Sequence, residues 1–304
     1  MNRLAVLFGA AALLTSGQAF AAQCTDAGQV KSPDDMVAAC TAEIQRLLGA
    51  REELATYYVV RSKAFLAQGD KTRALADLNQ ALETYPRFWG ALINRAVYYT
   101  NEGRLDLALK DYDDAIQFGA DTPEAYLYRG YAYAKKGDLD RALADAGEAV
   151  RRDPKYLEAH LFLMDHDLEA GKADASIAEA TTALSLGAKP DRALNGRCWS
   201  RAVANLEPRL GLADCDQALR LSPNNPSYLD SRGLVDLRLA DFDSAIRDYS
   251  AALAADPRKP DSLYGRSLAR RQRGDASGAD ADAAAAAALD PRIAERFAAW
   301  GLKP

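Results

Sequence analysis

Histidine is almost missing from this chain: His160 and His166 are the two present among 304 residues. Six positions apart, they fall about 240° apart around a helix, too far to hold one metal ion from a common face. Asp165 and Asp167 lie beside them, yet no metal site and no cofactor is expected. Also missing are the Gly-x-Ser-x-Gly elbow, a phosphate-binding glycine loop, the His-Glu-x-x-His pair and any Cys-x-x-Cys. Their absence leaves nucleophilic, nucleotide, zinc-hydrolase and thioredoxin-type chemistry without a motif. The chain has no basic excess: 38 Lys and Arg face 43 Asp and Glu, a net charge of −5. That balance disfavours nucleic acid as a partner, because phosphate binding needs a basic face. No apolar run approaches the ~20 residues of a membrane span. Four cysteines are too few for a disulfide-scaffolded mini-domain and enough for two bridges. No catalytic residue is expected, and an enzyme is not the first reading.

What is present begins with an address. Arg3 precedes a short apolar stretch, Leu4 to Leu14, and Ala19-Phe20-Ala21 then offers small residues where a signal peptidase reads. Residues 1–21 are therefore expected to be a signal peptide, and the chain to be exported to a bacterial-type periplasm. Lipid attachment at Cys24 would want a small residue before it, and Gln23 is not small.

An internal repeat organises the remainder. Ala81, Ala115, Ala149, Ala183, Ala218, Ala252 and Ala286 are spaced by 34 residues, with one step of 35. Five residues beyond, Pro recurs as Pro86, Pro154, Pro223, Pro257 and Pro291. A Gly followed five residues on by Ala recurs at Gly69/Ala74, Gly103/Ala108, Gly137/Ala142 and Gly274/Ala279. Each unit reads as two helices. In the third, Glu124 to Lys136 and Leu139 to Arg152 are separated by Gly137-Asp138, with Gly suited to a left-handed helix cap and Pro154 closing the second helix. The repeated Ala marks where two helices approach closely. One such hairpin cannot bury its apolar face alone, so stacking is required. The expected fold is all-α: an α-solenoid of about seven helix-turn-helix repeats in a right-handed superhelix. The units run 55–88, 89–122, 123–156, 157–191, 192–225, 226–259 and 260–292. Segment 22–54 precedes them, and residues 293–304 form a capping helix in which Phe297 and Trp300 cover the last repeat.

The pattern resembles the tetratricopeptide repeat family. The 34-residue period, the small-then-aromatic pairs Ala96/Tyr99 and Gly130/Tyr133, and the Ala142…Ala149…Pro154 run carry the resemblance over residues 55–292. Two units depart from it: the fourth has Met164 and Asp167 at the small and aromatic places, and the fifth has Leu206 for the turn Gly and Gly211 for the Ala.

Charge follows the same period. Arg61, Arg95, Arg129, Arg232 and Arg266 each have an acid sixteen residues later: Asp77, Asp111, Asp145, Asp248 and Asp282. A hairpin would bring each pair together as a bidentate bridge; two unrelated solvated faces are the alternative. In the fifth unit Cys198 stands in the expected Arg place, and Cys215 follows the in-phase Asp214. These two sulfurs should face each other and form a disulfide in an exported chain, with two buried free thiols as the alternative. Cys24 and Cys40 form the second expected pair. Ser32 as N-cap with Pro33 next starts the helix that carries Cys40.

What remains for function is surface. The resemblance implies a concave face lined by first helices that receives a peptide or a helix. The positions in phase there are Val59 and Lys63, Ile93 and Val97, Leu127 and Tyr131. Ten of the 14 tyrosines fall between Tyr57 and Tyr133, giving the first half a surplus of large side chains with polar tips. The family's clamp for a chaperone's terminal carboxylate matches only at Asn94, so that ligand is disfavoured. The expected function is a non-catalytic protein–protein interaction scaffold of the cell envelope, binding a protein or peptide, with homo-oligomerisation possible through an open array end. The alternative is an envelope enzyme, or an accessory subunit, acting on cell-wall polymer.

Overall fold

The computed structural model describes Cys24, residues 32–46 and residues 50–303. The expected signal peptide lies outside the described residues. Sixteen α-helices and no strand occur among the described residues. Helix α1 (Pro33–Arg46) precedes seven hairpins: α2 (Arg51–Ala67) with α3 (Lys71–Thr84), α4 (Trp89–Asn101) with α5 (Leu105–Gln117), α6 (Pro123–Lys136) with α7 (Leu139–Arg152), α8 (Leu157–Glu169) with α9 (Ala173–Ser185), α10 (Pro190–Ala204) with α11 (Pro208–Leu221), α12 (Pro226–Arg238) with α13 (Phe242–Ala255), and α14 (Pro260–Gln272) with α15 (Ala276–Leu289). Helix α16 (Ile293–Ala299) follows.

The described residues form two compact units that divide within α7, between Asp145 and Ala146. In the first, α2 contacts α3, α3 contacts α4, and the first helices α2, α4 and α6 touch in turn. In the second, the same holds from α8 to α15, with α8, α10, α12 and α14 in successive contact and α16 against α14 and α15. The seven periodic alanines are all fully buried, so the close approach they were expected to allow is what they provide. Gly137 closes α6 in the left-handed region at φ 84, where a β-carbon would be strained. Ser32 Oγ accepts from the Asp35 amide and starts α1.

The charge period sets the register. Arg61, Arg95, Arg129, Arg232 and Arg266 each donate through Nε and Nη2 to both oxygens of Asp77, Asp111, Asp145, Asp248 and Asp282, at 2.6–2.9 Å. The carboxylates hold the guanidinium groups of Arg61, Arg95, Arg129 and Arg232 above the ordinary arginine range. Each arginine has a third bond, through Nη1, to the helix before its own hairpin. The acceptors are Thr41, Asn79, Asp113, Asp216 and Ser250, at 2.7–3.1 Å. One side chain thus ties two helices of its own hairpin to the preceding one.

The fifth hairpin corrects the expectation that Cys198 replaces the arginine. Arg197 makes the bidentate bond to Asp214 at 2.6 and 2.9 Å, and its Nη1 reaches Thr181 at 3.1 Å. The single extra residue of the period lies in this hairpin's turn, where Asn205 (φ 54) and Glu207 (φ 43) are both left-handed. Upstream of that insertion the phase is unbroken, so Arg197 is the in-phase residue and the bridge spans seventeen positions. Asn205, not Leu206, holds the place of the turn glycine. The sulfurs of Cys198 and Cys215 lie at disulfide distance, 1.99 Å, with Cα atoms 5.5 Å apart, and those of Cys24 and Cys40 at 2.12 Å, with Cα atoms 4.9 Å apart.

In the fourth hairpin Leu163 takes the arginine place, and its in-phase acid, Glu179, instead meets His160 Nδ1 at 2.5 Å. Its Met164 is buried at 3%, and a β-carbon on Gly196 would stand 2.6 Å from its sulfur, so the missing side chain of α10 makes room for the large one of α8.

Candidate functional site

Among the described residues no helix is long and apolar enough to cross a membrane, and no group of three or more His, Cys, Asp or Glu could hold a metal ion. His160 is interior and bonded to Glu179 and to the Pro154 carbonyl, while His166 pairs with Glu169 at 3.1 Å. The candidate site considered is the surface formed in the first unit by α2, α4 and α6.

Two of the six residues expected on that surface are not there. Val59 is 6% exposed and packs with Ala55, Leu78, Ala81 and Ala91 where α2, α3 and α4 meet. Leu127 is 1% exposed. Both are buried, Val59 because its place on α2 turns toward α3 and α4. Ile93 and Val97 are half-buried, Lys63 is exposed, and Tyr131 is 44% exposed.

Three large side chains not expected on the face are exposed on the same three helices: Leu66, Trp89 and Tyr128. The signal that could have found them is helical spacing. Tyr128, Tyr131 and Lys135 fall within about 60° around α6, Lys63 and Leu66 within about 60° around α2, and Trp89, Ile93 and Val97 within about 80° around α4. Lys135 Nζ donates to the Thr100 carbonyl at 2.9 Å, joining α6 to the last turn of α4. A recess of about 600 Å³ is lined by Tyr85, Phe88, Trp89 and Phe118 together with Arg87 and Glu52. Arg87 lies over the Phe118 ring at 5.4 Å, and Tyr85 stacks on Phe88 at 6.0 Å. The arrangement offers rings, hydroxyls and a cation, the chemistry of a peptide-receiving surface.

The second unit differs on its corresponding face. Helix α12 is buried over most of its length, including Asp230, Ser231, Val235 and Asp236. Burial pushes the Asp230 carboxyl up to about 6. Burial, with Asp248 and Asp241 nearby, pushes Asp236 up to about 7. What covers the face is the chain itself: Phe297 meets Tyr264 at 4.9 Å, and Trp300 meets Trp199 on α10 at 5.5 Å.

Comparison with known proteins agrees with this architecture. A family model described as tetratricopeptide repeat matches residues 59–125 and 231–293, and a second of the same description matches residues 123–156. No curated protein matches the sequence. Among solved structures, a tetratricopeptide repeat protein from Parabacteroides merdae is similar over 81% of this chain and 98% of that one, with TM-score 0.65 and 16% identity. The C-terminal part of a TPR repeat-containing protein from Cytophaga hutchinsonii is similar over 78% of this chain and 97% of that one, with TM-score 0.57 and 18% identity. A chain of the APC/C hetero-tetramer Cut9–Hcn1 is similar over 95% of this chain and 55% of that one, with TM-score 0.60 and 14% identity.

Proposed function

The chain belongs to the tetratricopeptide repeat family, and from that premise we propose that it is a non-catalytic scaffold that receives a protein or peptide on the first-helix face of its first unit. The observation that carries the reading is the contrast between two corresponding faces. On α2, α4 and α6 the chain leaves Lys63, Leu66, Tyr128 and Tyr131 exposed, whereas on α12 it buries nearly everything. Grouped exposed apolar surface is what binding faces have in common.

The cysteines support the choice of compartment. Two pairs at disulfide distance fit an oxidising environment. With the signal-peptide pattern of residues 1–21, that supports export, and a bacterial-type envelope is the setting in which the partner is to be sought.

The full-length exported chain, used as bait in an envelope extract, should retain a defined partner, and Tyr128→Glu with Tyr131→Glu should abolish that retention without changing the circular dichroism spectrum. Leu127 is unsuitable as a test position, since a charge there would enter the core. Retention unaltered by the two tyrosine substitutions, in a folded chain, would contradict the assignment of the face.

A further inference from the structure

The closing segment of the chain has two separable parts. Helix α16 is a cap: Ile293 and Phe297 are each 1% exposed, and Arg296 holds Asp261 at 2.8 Å and Asp290 at 2.7 Å. Residues 300–303 are something else. The Leu302 amide donates to the Phe297 carbonyl at 2.9 Å, across Gly301 at φ 78, which ends the helix and turns the backbone away from it. Trp300 and Leu302 then lie half-buried against the cluster that contains Cys198, Leu234 and Val235, while Gly301 and Lys303 stay exposed.

The polar contact is the informative one. Arg238, at the end of α12, donates Nε to the Ala202 carbonyl at 2.8 Å and Nη2 to those of Val203 at 2.9 Å and Trp300 at 2.6 Å. All three acceptors are main-chain oxygens. Two belong to the last turn of α10, the Ala202 carbonyl also accepting from the Asn205 amide at 3.3 Å, and they fix the guanidinium in place; the third belongs to the segment lying over it. Lys135, at the equivalent end of α6 in the first unit, makes the first kind of contact, to Thr100. The side chain at this position is thus a fixed donor facing the first-helix surface, and in the second unit it is seen with a peptide carbonyl in its grip. Trp199 supplies an aromatic edge to the same segment, 5.5 Å from the Trp300 ring with the planes at 89°.

We propose that the first-helix face of α10, α12 and α14 is a peptide-binding groove occupied in cis by the chain's own Trp300–Lys303, and that its ligand in trans is a peptide with an aromatic residue two positions before an aliphatic one. The aromatic ring goes edge-on to Trp199, the main-chain carbonyl of the same residue to Arg238, and the aliphatic side chain to the place of Leu302. Recognition is by main-chain carbonyl and ring, so the ligand is defined by its pattern and not by charge. The segment acts as a lock: a short tether gives an effective concentration of about 1 mM, so an intrinsic affinity of about 10 μM keeps the groove closed about 100 to 1 and weakens any competing ligand by that factor. This deepens the scaffold reading by giving the second unit a ligand class, and it rests on that reading only in taking the first-helix face as the receiving side.

The test uses the full chain and a fluorescein-labelled peptide with the sequence of residues 297–303. The variant Trp300→Ala with Leu302→Ala should bind this peptide about 100-fold more tightly than the unaltered chain does. Adding Arg238→Gln to that variant should weaken it about 10-fold, and a peptide with Ala for Trp should not bind. The single variant Leu302→Gln, which disturbs packing less, should give an intermediate affinity and serves if the double variant does not fold. A folded, released chain that fails to take the peptide, or equal affinity in released and unaltered chains, would overturn the proposal. Because no extract partner is involved, loss of the partner sought on the first unit leaves this result independent.

Discussion

At the scale of single residues, position within the helix decides whether a side chain serves the core or the surface. Val59 and Lys63 are four apart on α2, yet one is 6% exposed and the other lies in solvent. The same division separates Leu127 from Tyr131. In the second unit it places Asp236 inside, with its carboxyl pushed up to about 7 by burial and by Asp248, Asp241 and Asp216, against the opposing pull of Arg232. An unfolded aspartate titrates near 3.9. The folded chain therefore holds this proton where the unfolded chain has lost it. The resulting stability is complete below about pH 3.9 and is lost as pH rises through about 7. Asp236→Asn removes the ionisation. It should raise the thermal midpoint by roughly 3 °C or more at pH 8 relative to the unaltered chain, and by little at pH 4, in melts followed by circular dichroism. An equal shift at both pH values would show that the carboxyl is not titrating in this window.

At the scale of elements, the unit of construction is the hairpin with its arginine. A buried pair of this kind is weak evidence of net stabilisation, because both ions are dehydrated. Removing one partner is a different matter, since the other is left inside without a counter-charge. Arg95→Met should lower stability by about 2–4 kcal/mol, and Arg95→Met with Asp111→Leu should recover most of that loss, measured by denaturant unfolding. A double variant no better than the single one would mean that the bond from Arg95 to Asn79, and so the tie between hairpins, carries the energy.

These elements were largely legible before any coordinates. Period and alanines occur once per unit, and the turn glycines and the Arg–Asp spacing recur in most units; all follow from helix geometry, so each repetition corroborates the others. The misreading came where the repetition was interrupted. A one-residue insertion leaves the sequence in phase on either side and does not announce where it sits; placing it before α10 gave Cys198 the place of Arg197. The third bond of each arginine was not legible either, because its acceptors Thr41, Asn79, Asp113, Asp216 and Ser250 share a place but not one residue type. Nor was the large Tyr249 ring, fully buried between Gly233 and Gly265, since a glycine inside a helix does not reveal which neighbour needs the space.

At the scale of the molecule, a chain of hairpins presents extended helix faces, and on the proposed reading function lies in which stretches of them are left uncovered. The first unit leaves one open on α2, α4 and α6; the second covers the corresponding one with residues 300–303. A partner-binding scaffold built this way should touch its partner from first helices and not from second ones. Site-specific photo-crosslinking in the native envelope measures this directly, with a benzophenone side chain placed in turn at Lys63, Tyr131 and, on the second helix α5, the exposed Lys110. The account predicts one shared crosslinked product from Lys63 and Tyr131 and none from Lys110. The same product from Lys110, or no common product from Lys63 and Tyr131, would contradict it.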